Sequence, residues 1–275
     1  MKLIEVLRRA TGYLEEHGST SPRLDAEVLM THALGLRRIE LYLQFERDLA
    51  DAELQPYRDL LSRRGRGEPV AYLVGYREFM KLDFLVTPDV LVPNPDTETL
   101  VVRAIELGRG GKTRVADVGT GSGNIACAIA HYVPAAGVCA GDISEAALEV
   151  ARQNAERLGV GERVRFAVSD LLEEMPGPFD LVCANLPYLP SWTDLPAEVR
   201  AQPPGALFGG EEGSEVVRRL LENAPERLAP GGVVLAEADT AVFEALRALV
   251  VERFVGHRIH RDLGGHERVL EAWTS

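Results

Sequence analysis

The sequence predicts an α/β protein with a mostly parallel sheet covered by helices on both faces, an antiparallel terminal strand pair and a small N-terminal helical bundle. Three observations predict it. Between residues 113 and 251, short apolar strand-like runs alternate with helical patterns, and that alternation produces parallel strands joined by crossover helices. The last two strand-like runs, about 253–260 and 267–273, follow each other without a helix, as an antiparallel edge pair does. Before residue 70, apolar residues recur at helical spacing with short links, which makes a bundle.

Taken in order, Leu3, Val6, Leu7 and Leu14 mark a first helix. Ser21-Pro22 offers a cap and a first-turn proline for a second, and Gly35 interrupts before Leu41-Tyr42-Leu43. Asp51 opens another helix, which ends in Arg63-Arg64-Gly65-Arg66. Arginines there complement the helix dipole and are expected to be solvated. No chemistry is visible in residues 1–70, which read as a recognition module. His17 and His32 stand alone, so no metal is expected. Residues 71–95 change to alternation, with Phe79, Leu82, Phe84, Val86 and Val90-Leu91-Val92 around a turn at Thr87-Pro88-Asp89, and read as a linking hairpin. The catalytic domain is expected over 96–275. Its opening, Pro95-Asp96-Thr97-Glu98, by itself reads as helix capping.

The centre of the chain is Val115-Ala116-Asp117-Val118-Gly119-Thr120-Gly121-Ser122-Gly123-Asn124, an apolar strand running into three alternate glycines. Glycine is required where a chain turns sharply or a ligand lies on the main chain, because no Cβ intervenes. The spacing is G-x-G-x-G rather than the dinucleotide G-x-G-x-x-G, and no Lys-Ser/Thr follows to make a P-loop, so phosphate is not the expected guest. This loop, with Asp117 before it and Asp142 closing the next strand, resembles the S-adenosylmethionine pocket of class I methyltransferases. That resemblance implies a Rossmann-like methyltransferase sheet. It also implies cofactor contacts from Asp117, Gly119, Thr120, Gly121, Ser122 and Gly123, and from Asp142 and Ile143. A carboxylate such as Asp142 can accept from both ribose hydroxyls. Asp170 and Leu171 end a third strand, where a carboxylate and the next backbone N–H suit an adenine edge. Asn185 ends a fourth. In open α/β sheets, ligands bind beyond the carboxyl ends of the strands, so these four ends are expected to share one crevice.

Composition bounds the partners. The net charge of −12 over 275 residues argues against a nucleic-acid-gripping protein, whose affinity rests on neutralising phosphates. Hydrophobic residues make up 46% and mean hydropathy is −0.05, with neither a membrane-length apolar run nor a signal peptide at Met1. No membrane association, a cytoplasmic location and a monomer are expected. Cys127, Cys139 and Cys183 are three, well separated and set in apolar patterns, and read as reduced core thiols.

Asn185-Leu186-Pro187-Tyr188 decides the acceptor. An amide nitrogen is planar, its lone pair is delocalised, and it attacks a sulfonium methyl only when both hydrogens are held and the lone pair is aimed. The Asn185 side-chain oxygen and the Leu186 carbonyl can accept those hydrogens, with Pro187 and Tyr188 completing the loop and the Tyr188 ring walling the planar group. Asn-Pro-Pro-Tyr, a close relative, is the signature of methyltransferases acting on planar nitrogens. Further stretches resemble the glutamine branch: Glu68-Pro69-Val70-Ala71-Tyr72-Leu73-Val74-Gly75, Arg77-Glu78-Phe79, Asp83-Phe84, Val90-Leu91-Val92-Pro93, Pro95-Asp96-Thr97-Glu98 and Ala206-Leu207-Phe208-Gly209-Gly210. Over most of its length the chain resembles the bacterial release-factor glutamine methyltransferases. The resemblance implies methyl transfer from S-adenosylmethionine, leaving S-adenosylhomocysteine, to N5 of the glutamine in the Gly-Gly-Gln motif of class I peptide chain release factors, held by the helical module.

Two positions depart from that family's pattern: Leu186 stands where proline is usual, and Asn94 where arginine is usual. The Asn-Leu-Pro-Tyr spelling also occurs in ribosomal RNA adenine N6-dimethyltransferases, but those carry a different first loop, begin the catalytic domain near the N-terminus and are basic. On the sequence, a ribosomal-protein glutamine, an RNA adenine, or binding of S-adenosylmethionine without catalysis remain as alternative readings.

Overall fold

In the computed structural model, which describes residues 1–275, the chain divides into two compact units. One is Met1–Tyr76 with Leu195–Ala201, the other Arg77–Asp194 with Gln202–Ser275.

The first unit is helical: α1 (Leu3–Glu16), α2 (Pro22–Leu34), α3 (Arg38–Leu43), α4 (Asp51–Gly65) and α5 (Val70–Val74). Leu3, Leu7, Ala10 and Leu14 form the buried stripe of α1 and pack with Ala26, Leu29 and Met30 of α2 and with Leu54 and Tyr57 of α4, as 3.6-residue periodicity dictates. Gly35 ends α2 at φ +64°, a left-handed cap that glycine takes without a Cβ clash. Ser21, expected as the cap of α2, makes no side-chain capping bond. Instead the Ser19 hydroxyl donates to Asp25 (2.8 Å) and accepts from the Ser21 amide.

Two ion clusters in this unit were hidden in the sequence. Glu27 is fully buried and accepts from Arg23 (2.9 Å), Arg38 (2.7 Å) and the Tyr42 hydroxyl (2.8 Å). Burial pushes its pKa up, but the bonds from Tyr42, Arg38 and Arg23 outweigh that and hold it below the usual carboxylate value. The second overturns the expectation of a solvated arginine run. Arg64 is only 6% exposed and reaches Asp25 (2.8 Å) and Glu198 (2.5 Å), while Arg63 pairs with Glu68 and Arg66 donates to Ser62. Arg64 is thus a tie between α2, α4 and α9 (Ala197–Arg200).

Strand β1 (Tyr76–Phe79), whose first residue closes the first unit, and β2 (Leu82–Leu85) form a hairpin. Its turn is Met80-Lys81, not Thr87-Pro88-Asp89 as the sequence led us to expect, and residues 90–92 are not a strand. Met80 and Lys81 have φ of +52° and +60°, the conformation of a two-residue turn usually written Asn-Gly. The hairpin is held by the Met80 amide on Glu98 (2.8 Å), by Tyr132 on the Met80 carbonyl (2.6 Å) and by Asn154, which bonds both the amide and the carbonyl of Leu85.

The rest alternates: α6 (Glu98–Arg109), β3 (Arg114–Val118), α7 (Asn124–Tyr132), β4 (Gly137–Asp142), α8 (Glu145–Arg157), β5 (Val164–Val168) and β6 (Phe179–Ala184). Then come β7 (Leu189–Pro190), α9, β8 (Phe208–Gly210), α10 (Glu215–Arg227), β9 (Leu228–Glu237), α11 (Thr240–Arg253), β10 (Gly256–Arg261) and β11 (Glu267–Trp273). The main sheet has the order β10-β11-β9-β6-β3-β4-β5. Its first five strands in sequence, β3, β4, β5, β6 and β9, run parallel to one another, and β11 runs antiparallel to both β9 and β10.

Strand alternation sorts the core into two layers. Val115, Leu181, Cys183, Val233 and Leu235 face α6 and α7. Ala116, Val118, Val182, Ala184, Val234 and Ala236 face α10 and α11. The chain leaves β3 toward β4 on one side and returns to β6 on the other, which opens a crevice above the carboxyl end of β3. No helix is long and apolar enough to cross a membrane.

Arg64→Ala strands Asp25 and Glu198 without their cation. It is expected to lower unfolding free energy by about 2–3 kcal/mol, below the cost for a fully buried pair because Glu198 remains partly hydrated. Urea denaturation checks this, and an unchanged midpoint would contradict the tie.

Candidate active site

A cavity of about 310 Å³ opens at that crevice, within the range that small-molecule ligands occupy. Its floor is the loop after β3. Gly119, Gly121 and Gly123 have φ of +71°, +53° and +78°, values a side chain disfavours. The amides of Gly119 and Thr120 both donate to the Gly141 carbonyl at 2.9 Å, so the loop is bonded to the end of β4. Asp142 completes the bond pattern: one carboxylate oxygen accepts from the Gly121 amide (2.9 Å) and the other from the Ser144 amide (2.9 Å). Ser144 then caps α8 through the Ala147 amide.

Asp142, Ile143, Asp170 and Leu171 line one side. Ile143 is 70% exposed, an apolar side chain left open at the rim. Leu171 sits at φ +52°, a strained setting for a branched residue and one that clusters at functional sites. Asp170, expected to face an adenine, accepts from Arg219 at 2.7 Å, with both side chains about half exposed.

The other side is Asn185, Leu186 and Pro187. The Asn185 amide nitrogen donates to the Thr97 hydroxyl oxygen (3.0 Å). Leu186 lies over the glycine loop, and a Cβ on Gly119 would fall 2.8 Å from its Cδ2. Gly209 backs this loop: a Cβ there would sit 2.4 Å from the Pro187 carbonyl oxygen, and the Leu189 amide bonds the Leu207 carbonyl (3.0 Å).

Three expected site residues stand outside the lining. Asp117 is fully buried, and its Oδ2 accepts from the Thr120 hydroxyl (2.6 Å) and the Ala126 amide (3.0 Å). It anchors the loop from beneath because strand alternation turns it into the apolar layer under α7. Burial, with a smaller contribution from Asp142, raises its pKa to about 7. Gly123 faces α8: a Cβ would lie 3.0 Å from that of Ala151, so its lack of a side chain serves helix packing. Tyr188 does not wall the cavity. Its phenol lies near Arg268 and Glu237, and burial together with the charge of Glu237 pushes its pKa up to about 12.

Other lining residues had been read only as turns or motif letters. Val90 to Asn94 and Thr97 come from the segment before α6, and Pro203, Ala206 and Phe208 from the stretch before β8. Asn94 accepts from the Asp96 amide (3.1 Å) and so fixes the turn. The readable signals were the prolines around Asn94 and the Gly209-Gly210 pair. Nothing near Thr97 marks its role.

The donor set fits S-adenosylmethionine. An oriented carboxylate at Asp142 suits vicinal hydroxyls, the exposed Ile143 and the buried Leu171 suit a flat base, and the glycine loop offers bare backbone to a polar tail.

The chain is similar to known proteins over nearly its whole length. Residues 5–75 match the family model described as the PrmC N-terminal domain, and residues 110–247 match one described as a methyltransferase domain. A release factor glutamine methyltransferase from Rhodopirellula baltica is 41% identical, over 98% of this chain and 95% of its own. One from Moorella thermoacetica is 40% identical over 99% of each. Among solved structures, a T. thermophilus 16S rRNA N2 methyltransferase in complex with AdoMet and guanosine superimposes with a TM-score of 0.54. It is 17% identical, over 73% of this chain and 50% of that one, a likeness of fold.

Asp142→Ala removes an acceptor that two backbone amides share. It is expected to weaken S-adenosylmethionine binding about 10- to 100-fold, measured by titration calorimetry. A dissociation constant within about threefold of wild type would remove Asp142 from the site.

Proposed function

The chain belongs to the release factor glutamine methyltransferase family, and from that membership we propose that it methylates N5 of the glutamine in the Gly-Gly-Gln motif of class I peptide chain release factors. It is an S-adenosylmethionine-dependent glutamine methyltransferase, and S-adenosylhomocysteine is the second product. The observation that carries the reading is the meeting of Asn185, Leu186 and Pro187 with Gly119, Gly121 and Asp142 around one cavity.

S-adenosylmethionine, when bound, supplies an electrophilic methyl group on a good leaving group. The protein's part is positional. Asp142 and the glycine loop hold the donor. The Asn185 side-chain oxygen and the Leu186 carbonyl each accept one hydrogen of the glutamine amide, which turns its nitrogen toward the methyl. A fixed approach of this kind lowers the barrier by removing orientational freedom beforehand. The N–C bond forms as the C–S bond breaks, and the nitrogen, acidic once it carries the methyl, loses a proton to water. No strong base is needed, and no histidine lines the cavity.

The net charge of −12 favours a protein substrate over RNA. The ribosomal-protein and RNA-adenine readings lack support of comparable specificity, since likeness to the rRNA enzyme concerns the fold alone. A translation-factor substrate implies a cytoplasmic enzyme, and we read it as a monomer whose helical module, residues 1–70, receives the release factor.

Labelled S-adenosylmethionine, purified enzyme and release factor, followed by mass spectrometry of the Gly-Gly-Gln peptide, test the activity. A product labelled only at another residue would overturn it. Asn185→Ala is expected to lower kcat by about 10²-fold or more, with the affinity for S-adenosylmethionine nearly intact. Wild-type turnover in that variant would refute the amide clamp.

A further inference from the structure

A carboxamide at a reaction centre has two settings that matter: the plane in which it lies and the end that it turns to the substrate. Its oxygen and nitrogen are nearly the same size and its last torsion is broad, so packing alone fixes neither setting, whereas a hydrogen-bond partner fixes both. For Asn185 the outcome is decisive. With the oxygen toward the glutamine amide it accepts a hydrogen, and turned over it sets donor against donor.

The Asn185 side-chain nitrogen donates to the Thr97 hydroxyl oxygen at 3.0 Å. Both residues line the cavity, and with the nitrogen engaged on Thr97 the oxygen is the end left for the acceptor. Threonine hydroxyls commonly bond backbone groups a few residues away, but this one is met by a side chain 88 residues along the chain. Thr97 is 1% exposed, so water has little access to its oxygen, and loss of the bond would strand the Asn185 N–H. Branching at Cβ restricts the threonine side chain to few rotamers, which gives that oxygen a fixed bearing.

The backbone that carries Thr97 is pinned on both sides. Thr97 ends a 3₁₀ turn, Pro95–Thr97, in which Asn94 accepts from the Asp96 amide through its side chain (3.1 Å) and from the Thr97 amide through its carbonyl (3.1 Å). Asp96 pairs with Arg268 of β11 (3.2 Å), which also holds Asp262 (3.1 Å). On the other flank, the Glu98 carboxylate accepts from the Met80 amide in the hairpin turn (2.8 Å). Thr97 therefore stands between one tie to β11 and another to the β1–β2 hairpin.

We propose that Thr97 is a positioning residue: its hydroxyl oxygen, held by that turn, fixes the plane and the sense of the Asn185 carboxamide so that the carboxamide oxygen faces the acceptor glutamine. This rests on the reading that Asn185 holds that glutamine. Thr97 acts through Asn185 and not on the reacting atoms. Without the Thr97 oxygen the carboxamide turns about its last torsion, and a clamp that is no longer aimed forfeits the advantage of prior orientation. The donor side, built from the glycine loop and Asp142, is untouched.

The test is steady-state kinetics on a release factor, with calorimetric titration of S-adenosylmethionine, for wild type, Thr97→Val, Thr97→Ser, Asn185→Ala and the double variant of Thr97→Val with Asn185→Ala. Thr97→Val keeps the branched shape without the oxygen, and is expected to lower kcat about 10-fold while the dissociation constant of S-adenosylmethionine stays within about twofold of wild type. Thr97→Ser keeps the oxygen and should hold kcat within about threefold of wild type. In the Asn185→Ala background, Thr97→Val should cost no more than about twofold further, because the group it aims is gone. Wild-type kcat in Thr97→Val overturns the proposal. So does an equal loss in the Ser and Val variants, or an equal loss from Thr97→Val in both backgrounds, since either marks a residue that supports the fold without aiming Asn185. Should Thr97→Val fail to fold, Thr97→Ala, which removes the same oxygen and needs less room, takes its place with the same expected outcomes. Wild-type turnover in Asn185→Ala refutes the clamp itself. An impaired Asn185→Ala beside fully active Thr97 variants refutes the positioning role and leaves the clamp standing.

Discussion

The missing side chain at Gly119 lets the two halves of the site meet. Leu186 occupies the space a Cβ would need, 2.8 Å from its Cδ2, and the Asn185 carbonyl oxygen is only 4.0 Å from the same point. The loop after β3 and the loop after β6 are therefore in contact, although neighbouring strand ends usually diverge as a twisted sheet fans out. A methyl group is small and its transfer has one direction of approach, so donor and acceptor loops must be this close. The hydrogen bonds of Gly119 and Thr120 to Gly141, and of Gly121 to Asp142, hold the floor in place while the upper loop is built over it.

Much of this was readable because burial on both faces of a parallel strand leaves a plain mark. Val115 to Val118, Phe179 to Ala184 and Val233 to Glu237 stand out as apolar runs, and the glycine triplet announces a turn that accepts a ligand. The polar residues at the strand ends could be expected to converge from topology alone. What stayed hidden depends on tertiary surroundings. Arg64 looks like any basic residue at a helix end, and only the fold reveals that Asp25 and Glu198 enclose it. Met80-Lys81 turns a hairpin without glycine because Glu98 and Tyr132 hold its backbone. Asp117 and Gly123 were read as ligand contacts since they share the motif, whereas pleat direction sends the first under the loop and helix packing claims the second. Thr97 and Asn185 lie far apart in the chain, and no local pattern announces their bond.

The two carboxyls raised by burial, Asp117 and Glu237, lie on the same face of the sheet. Each ends or nearly ends a strand and keeps one oxygen without a partner, and Asp117 also accepts from the Thr120 hydroxyl. Desolvated carboxylates are poor stabilisers by themselves. Asp117 is offset by what it holds: it accepts from the Thr120 hydroxyl and the Ala126 amide and so ties the loop after β3 to the start of α7.

The pair between Asp170 and Arg219 has the opposite character. Both ends reach water, where such contacts contribute within about 1 kcal/mol and salt screens them further. A purine edge bearing an amino group could exchange for the guanidinium at a cost comparable to thermal energy, with the main chain at rest. Parting the pair takes only a turn of the Arg219 side chain and leaves the strand end that carries Asp170 where it is.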